Sequence, residues 1–182
     1  MASLGHIVVG MAAARVQSGG AVRPRPALAA MLFWAALSFL PDADVVGFGL
    51  GVRYGDPWGH RGATHSLVFS LALGTAIAVL APRFGYPALR TGLMATLVLA
   101  SHALLDTMTD GGLGCALFWP FDLTRYFAPW RPLPVSPIGL GYLSPYGLYV
   151  ATVEAALFAP LLLYALTRRG RGSARRFPGQ DT

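Results

Sequence analysis

Long apolar stretches alternate with short polar ones along this chain of 182 residues. Five stretches have the apolar character of helices, and a proline follows the second and the third, where a helix cannot readily continue. The first two are shorter than the roughly 20 residues of a straight membrane span. The predicted helices cover about residues 4–16, 27–40, 65–81, 88–107 and 146–166. The pattern predicts an all-α fold, a polytopic membrane bundle of about five helices.

Composition strengthens the membrane interpretation. Hydrophobic residues make up 54% of the chain and charged residues only 12%, against about a quarter charged in a typical soluble domain. We expect residues 1–167 to form one membrane-embedded domain and the arginine-rich residues 168–182 to form a disordered cytoplasmic tail. The N-terminus has no basic region and no small-residue cleavage site, so we expect no cleavable signal peptide.

The distribution of arginine predicts the orientation in the membrane. The net charge of +6 is spread between apolar segments, so we expect no nucleic-acid partner. With five spans, ten arginines fall on one side, and that side is predicted to be cytoplasmic. The N-terminus and the two longer loops then face outward from the inner membrane, on the side that receives four arginines: Arg53, Arg61, Arg125 and Arg131.

The same alternation gathers the candidate chemistry on the outward side. It brings all four histidines and three aspartates to one end of the bundle: His6, Asp42, Asp44, His60, His65, His102 and Asp106. Asp110 and Asp122 lie in the loop beyond the fourth helix, on the same side. The sequence therefore predicts a metal site at one membrane face.

Two short motifs contribute carboxylates. In "SHALLD", His102 and Asp106 are four residues apart and share one helix face. They can bind one ion together, the carboxylate can orient the imidazole, or the pair can be a structural hydrogen bond. In "LPDAD", Asp42 and Asp44 are expected in an irregular loop after Pro41. Two carboxylates this close favour a bound cation, and an Asp-rich turn is the alternative.

The stretch "GHRGATHSL" contains two of the four histidines. His60 and His65 are suited to a pair of ligands from a loop and the helix that follows, or they are interfacial residues beside a capped helix. Arg61 has the planar fork that binds phosphate or carboxylate. Thr64 is the predicted cap of the third helix.

Other polar positions are ambiguous by themselves. His6 gains interest only from its place on the same face, and Glu154, inside the fifth helix, is a ligand, a general acid/base or a partner of an arginine. Asp110 is a ligand or a loop cap, and the cap is favoured. The segment 119–134 is aromatic and proline-rich, typical of a membrane interface, a lid or a lipid-contact surface. The single Cys115 excludes an intrachain disulfide and a multi-cysteine zinc site.

These motifs, in this order, resemble the YdjM-type family of inner-membrane metal-dependent hydrolases. The resemblance rests on an early histidine, "LPDAD", "HRGATHSL", "SHALLDTMTDGG" and "WPF", and covers roughly the first 125 residues. The ligand set is also similar to that of bacterial zinc-dependent phospholipase C and related zinc nucleases, which are all-α enzymes. The resemblance implies a helical membrane hydrolase that depends on a metal.

We therefore expect a hydrolase that cleaves a phosphoester of a lipid or lipid-linked substrate at the outer membrane face. Histidine and aspartate ligands without cysteine suit Zn²⁺, with Mn²⁺ or Fe²⁺ as alternatives. The seven candidate ligands exceed the four that one zinc takes, so we expect two or more ions. Arg61 is the expected phosphate contact, and Asp44 or Glu154 the general base. The alternatives are an amidase or esterase acting on a lipid head group, and a non-enzymatic protein that binds or transports metal.

Overall fold

The structure is a computed structural model that describes residues 3–18 and 28–167. Over these ranges the chain is helical and contains no β-strand, which confirms the predicted fold class. The predicted tail at 168–182 lies outside the described residues. The long helices are α1 Ser3–Gln17, α2 Leu28–Phe39, α3 Leu67–Leu80, α4 Ala88–Thr107 and α5 Pro145–Leu166.

Four helical segments of the described chain are long and apolar enough to cross a membrane. They are Leu28–Gly49, Leu67–Phe84, Ala88–Thr107 and Pro145–Leu166. Helix α1 has 15 residues, which corresponds to about 22 Å at 1.5 Å per residue, against a hydrocarbon core of about 30 Å. The polytopic membrane architecture is thus supported by four candidate spans, with α1 as a shorter fifth helix.

The region after α2 differs from the sequence expectation. The α-helix ends at Phe39, but the chain continues as a 3₁₀ helix, Leu40–Val45, and one further helical turn, Val46–Gly49. The prediction that Asp42 and Asp44 lie in an irregular loop is therefore wrong. Pro41 stands near the start of the new helical segment, where proline's missing N–H costs nothing.

The long helices α1 and α4 run in opposite directions, as the alternation of polar loops predicted. Two contacts establish this. His6 at the start of α1 lies beside Asp106 at the end of α4, and Gln17 at the end of α1 donates a hydrogen bond to Thr91 at the start of α4. The bundle therefore has two distinct ends, one near His6 and the other near Gln17.

Small residues let the helices approach closely in the core. The core consists of Ala13, Ala14, Trp34, Leu37, Ala95, Val98 and Leu99, contributed by α1, α2 and α4. A Cβ atom added at Gly10 would lie 2.5 Å from the backbone oxygen of Trp34 and 2.6 Å from the Cα of Ala35. Only glycine permits this contact between α1 and α2, as is common where membrane helices pack.

Candidate metal centre

The predicted convergence of histidines and aspartates is confirmed at the His6 end of the bundle. Side chains come from the start of α1, the 3₁₀ helix after α2, the segment before α3 and the last turns of α4. Each is at most 5% exposed: His6, Asp42, Asp44, His60, Arg61, His65, His102 and Asp106. Ionisable groups are expensive in a membrane bundle and are usually functional there.

Four of these residues form the first ligand group: Asp42, His65, His102 and Asp106. The Nε2 atoms of His65 and His102 are 3.2 Å apart, and Asp42 Oδ1 lies 3.4 and 3.3 Å from them. Asp106 Oδ2 lies 3.6 Å from His65 Nε2. Neighbouring ligands of a tetrahedral zinc ion stand about 3.3 Å apart, given bonds of about 2.0–2.1 Å. The spacing therefore fits one small cation.

Asp42 supplies an independent reason to expect a cation. Both of its carboxylate oxygens are buried and accept no hydrogen bond of ordinary geometry from the part of the chain that the structure describes. A buried carboxylate without such partners is costly, and a bound metal is one of the usual remedies. The oxygens face two imidazoles that can act as further ligands.

The tautomer of His102 also suits metal binding. Its Nδ1 lies 2.7 Å from the backbone carbonyl oxygen of Ser38 in α2. A carbonyl only accepts hydrogen bonds, so Nδ1 must carry the proton in this contact. In the neutral ring, the lone pair then lies on Nε2 and points toward Asp42 and His65. Metal-binding histidines are commonly oriented in this way by a backbone carbonyl.

Asp44, His60 and His65 form the second ligand group. Here Asp44 already accepts hydrogen bonds: Oδ1 from His60 Nδ1 at 2.7 Å, and Oδ2 from the Thr64 hydroxyl at 2.7 Å and the Arg61 backbone N–H at 3.2 Å. His65 Nδ1 lies 3.2 Å from the same Oδ2. Asp44 is thus well placed to orient two imidazoles.

His65 is shared by the two groups, and its electrostatics indicate that the centre attracts positive charge. Burial lowers the pKa of the imidazole, but the carboxylates of Asp106, Asp42 and Asp44, 3.2–3.6 Å from its ring nitrogens, outweigh burial and raise the pKa to about 10. Without a metal, a proton on His65 supplies the charge that these carboxylates require. A metal ion would compete with that proton for the same place.

The predicted role of Thr64 as a helix cap is wrong. The cap of α3 is Ser66, whose hydroxyl oxygen accepts a hydrogen bond of 3.0 Å from the Phe69 N–H. His65 also precedes α3 and lies in the short 3₁₀ turn Ala63–His65. Thr64 instead donates its hydroxyl proton to Asp44.

His6 and Arg61 lie beside the first ligand group, and both contact Asp106. His6 Nε2 is 3.3 Å from Asp106 Oδ1, and the His6 ring stacks on His102 with centroids 3.7 Å apart. Arg61 Nε donates to Asp106 Oδ2 at 3.0 Å, and Nη1 donates to the Gly111 carbonyl at 3.0 Å. Arg61 has a φ of 61°, an uncommon backbone conformation for a side-chain-bearing residue.

Glu154 belongs to neither ligand group. Its Oε2 atom accepts hydrogen bonds from the backbone N–H groups of Leu4 at 2.6 Å and Gly5 at 3.3 Å, at the start of α1. A carboxylate there satisfies amides that lack helical partners and interacts favourably with the helix dipole. Glu154 therefore helps fix the turn that contains His6, and its role as a general base stays a prediction.

The loops at this end of the bundle contribute one residue whose role the sequence did not reveal. Arg125 donates hydrogen bonds to three backbone carbonyls, those of His60 at 2.9 Å and of Tyr54 and Asp56 at 3.1 Å each. It thereby fixes the loop that leads into His60. Asp110 belongs to neither ligand group, and its Oδ1 accepts the Val135 N–H at 2.7 Å, 25 residues along the chain.

Comparisons with known proteins agree with this architecture. A family described as "YdjM inner membrane protein" matches residues 1–174. The chain is 44% identical over 120 residues to the inner membrane protein YbcI of Escherichia coli K12. The matched region makes up 65% of this chain and 69% of YbcI. No solved structure matches the chain.

Proposed function

This chain belongs to the family of YdjM inner membrane proteins, and from that premise we propose that it is a membrane-embedded metal-dependent hydrolase. Its substrate is a phosphoester of a lipid or lipid-linked molecule. The observation that carries the proposal is the convergence of two imidazoles and two carboxylates, with both oxygens of Asp42 buried and accepting no hydrogen bond of ordinary geometry from the described residues.

The first ligand group would hold the principal ion through Asp42, His65, His102 and Asp106. Zn²⁺ suits these nitrogen and oxygen donors best, with Mn²⁺ or Fe²⁺ as alternatives. When bound, the ion would lower the pKa of a water molecule and polarise a phosphoryl oxygen. The second ligand group would take a further ion only if Asp44 gave up hydrogen bonds that it accepts from Thr64 and His60.

The neighbouring residues divide the remaining tasks. Asp44 is better supported than Glu154 as a proton acceptor, because it contacts His60 and His65, whereas Glu154 accepts the α1 amides. Arg61 puts a guanidinium beside Asp106, where a phosphate oxygen of the substrate would be close to a positive charge. His6 contacts Oδ1 of Asp106, the oxygen that Arg61 does not contact, and is a further candidate ligand.

A lipid substrate is supported by the surface around this end of the bundle. Trp58, Phe121 and Trp130 are 61%, 88% and 69% exposed on the loops at this end. Aromatic side chains favour the head-group level of a bilayer. The arginine distribution supports an outward, periplasmic orientation of this end, and the membrane would bring lipid head groups to it.

Complete burial of the ligands favours a second candidate function. Structural zinc sites are closed, while catalytic sites keep an open position for water and substrate. A metal ion that only stabilises the bundle, or an ion that the protein transports, would also explain why the ligand side chains are at most 5% exposed. An amidase or esterase acting on a lipid head group would use the same ligands.

One experiment separates these functions. The protein is purified in mild detergent, metal content is measured by mass spectrometry, and hydrolysis of phosphoester, amide and ester lipids is followed with and without chelator. We expect bound metal and chelator-sensitive phosphoester turnover, both lost in Asp42→Asn and retained in the loop control Asp110→Asn. Bound metal with no turnover of any lipid would refute the hydrolase and leave the structural or transport role. Turnover of amide or ester lipids without turnover of phosphoester lipids would show that the protein is an amidase or esterase.

A further inference from the structure

The end of the bundle opposite the metal centre contains a large apolar groove. It lies between the last turns of α1 and α3 and the first turns of α2 and α4, and has a volume of about 940 Å³. Ligand pockets typically measure about 300–1,000 Å³. Its walls include Ala14, Ala30, Phe33, Trp34, Ile77 and Leu80. The chemistry of these walls suits a hydrocarbon chain.

The groove has a polar rim at one edge. Gln17 Nε2 donates a hydrogen bond of 2.6 Å to the Thr91 hydroxyl, and both residues line the groove. The Gln17 Oε1 atom is buried and has no hydrogen-bond partner among the described residues. At this rim the apolar walls end, and the polar side chains of Gln17 and Thr91 can contact a lipid head group.

The charged side chains at the rim indicate which kind of lipid head group would fit there. Arg90 is exposed in the first turn of α4, and its Nη2 donates a 2.6 Å hydrogen bond to the Val16 carbonyl, next to Gln17. Arg83 is also exposed, beside Phe84, which lines the groove. The acidic residues that the structure describes lie elsewhere: Asp42, Asp44, Asp56, Asp106, Asp110, Asp122 and Glu154. The rim is therefore positive and suited to an anion.

We propose that this groove binds one anionic phospholipid, with an acyl chain along the apolar walls and its phosphate at Arg90 and Arg83. Basic pockets between membrane helices on the cytoplasmic side are known to accept anionic head groups. In the orientation proposed above, this end lies in the cytoplasmic leaflet. The lipid is a bound ligand rather than the hydrolysed substrate, because the metal centre is at the other end.

Trp34 allows a direct test because it lines the groove and is only 3% exposed. The other three tryptophans are Trp58, Trp119 and Trp130, so W58F/W119F/W130F leaves a single reporter. This variant is reconstituted in vesicles of equal phosphatidylglycerol and phosphatidylcholine. The bromine quencher is attached to one lipid or to the other, and Trp34 fluorescence is compared.

We expect brominated phosphatidylglycerol to quench Trp34 more strongly than brominated phosphatidylcholine, with a preference of about fivefold per contacting arginine. Arg90→Gln and Arg83→Gln, each in the single-tryptophan background, should reduce the preference. Arg53→Gln, at the metal-centre end, should leave it unchanged. Ala30→Phe should fill the groove and lower quenching by both lipids, whereas Leu71→Phe on an exposed surface should not.

Two results would overturn the proposal. Equal quenching by the two brominated lipids would show that the groove holds ordinary bilayer lipid without selection by charge. Little quenching by either lipid, unchanged in Ala30→Phe, would show that the protein itself fills the groove. Neither result depends on metal content or turnover, so the proposed hydrolase function is tested separately.

Discussion

Asp44→Asn tests whether Asp44 orients the ligands or binds the ion itself. Asp44 accepts hydrogen bonds from His60 Nδ1, the Thr64 hydroxyl and the Arg61 N–H. An asparagine keeps the size of the side chain but replaces one acceptor oxygen with an NH₂ donor. If that donor faces the two donors at Oδ2, hydrogen bonds are lost; if it faces His60, the ring must accept at Nδ1 and carry its proton on Nε2 instead.

The expected size of the effect follows from this position. Loss of an outer carboxylate that orients a metal-binding histidine typically costs 10–100-fold in metal affinity, or about 1.4–2.7 kcal/mol. We therefore expect Asp44→Asn to weaken zinc binding by about 10–100-fold. Asp42→Asn, which changes a proposed ligand, should weaken it further, and Asp110→Asn should leave it unchanged.

The assay is competition for Zn²⁺ between the detergent-solubilised protein and a fluorescent chelator, with circular dichroism as a check on folding. If Asp44→Asn binds zinc as tightly as the unchanged protein while Asp42→Asn does not, Asp44 has no positioning role. If the two variants lose binding equally, Asp44 is itself a ligand. Either result would refute the division of the centre into an ion-holding group and an orienting carboxylate.

Three further predictions concern stability. Ser66→Ala removes the α3 cap and should lower the free energy of unfolding by about 1 kcal/mol. The measurement is thermal denaturation in detergent, with Thr75→Ala as the control. Equal stability of the two variants would refute the capping role of Ser66. Arg125→Lys cannot span three carbonyls with one ammonium, so its unfolding temperature should fall below that of Arg131→Lys, and no difference would contradict the loop-fixing role. In the metal-free protein, the His65 pKa rises from 6.5 to about 10, so its stabilising contribution is complete below pH 6.5 and declines as pH rises through about 10. Chelator-treated protein should lose stability over that interval in pH-dependent denaturation, and His65→Gln should not lose it to the same extent.

Much of the architecture was predictable because membrane helices are strongly patterned. The predicted bounds of α4 match the structure, and those of the other long helices differ by one or two residues. The gathering of His65 and His102, whose Nε2 atoms lie 3.2 Å apart, followed from the alternation of helix directions. These features depend on hydrophobic periodicity and chain direction, which sequence reveals directly.

The local geometry was less predictable because it depends on backbone hydrogen bonds. A proline marked the end of α2 correctly, but the helical continuation through Asp42 and Asp44 required knowledge of the packing beyond it. Thr64 and Ser66 are both residue types that cap helices well. In the structure Ser66 caps α3, and Thr64 donates its hydrogen bond to Asp44 instead. The contact of His102 with the Ser38 carbonyl could not be predicted from the pattern of side chains, because every residue has a backbone carbonyl.

The long sequence separation within the metal centre has a consequence for biogenesis. His6 and Asp106 are 100 residues apart, and Arg61 meets Asp106 across 45. During synthesis, the polar end of α1 therefore enters the membrane before its partner on α4 has been translated. A polar or ionisable group that is buried away from water without its partner is costly. The early helices should consequently stay at the bilayer surface or within the insertion machinery until α4 arrives, and a chain ending before α4 should be held there or degraded.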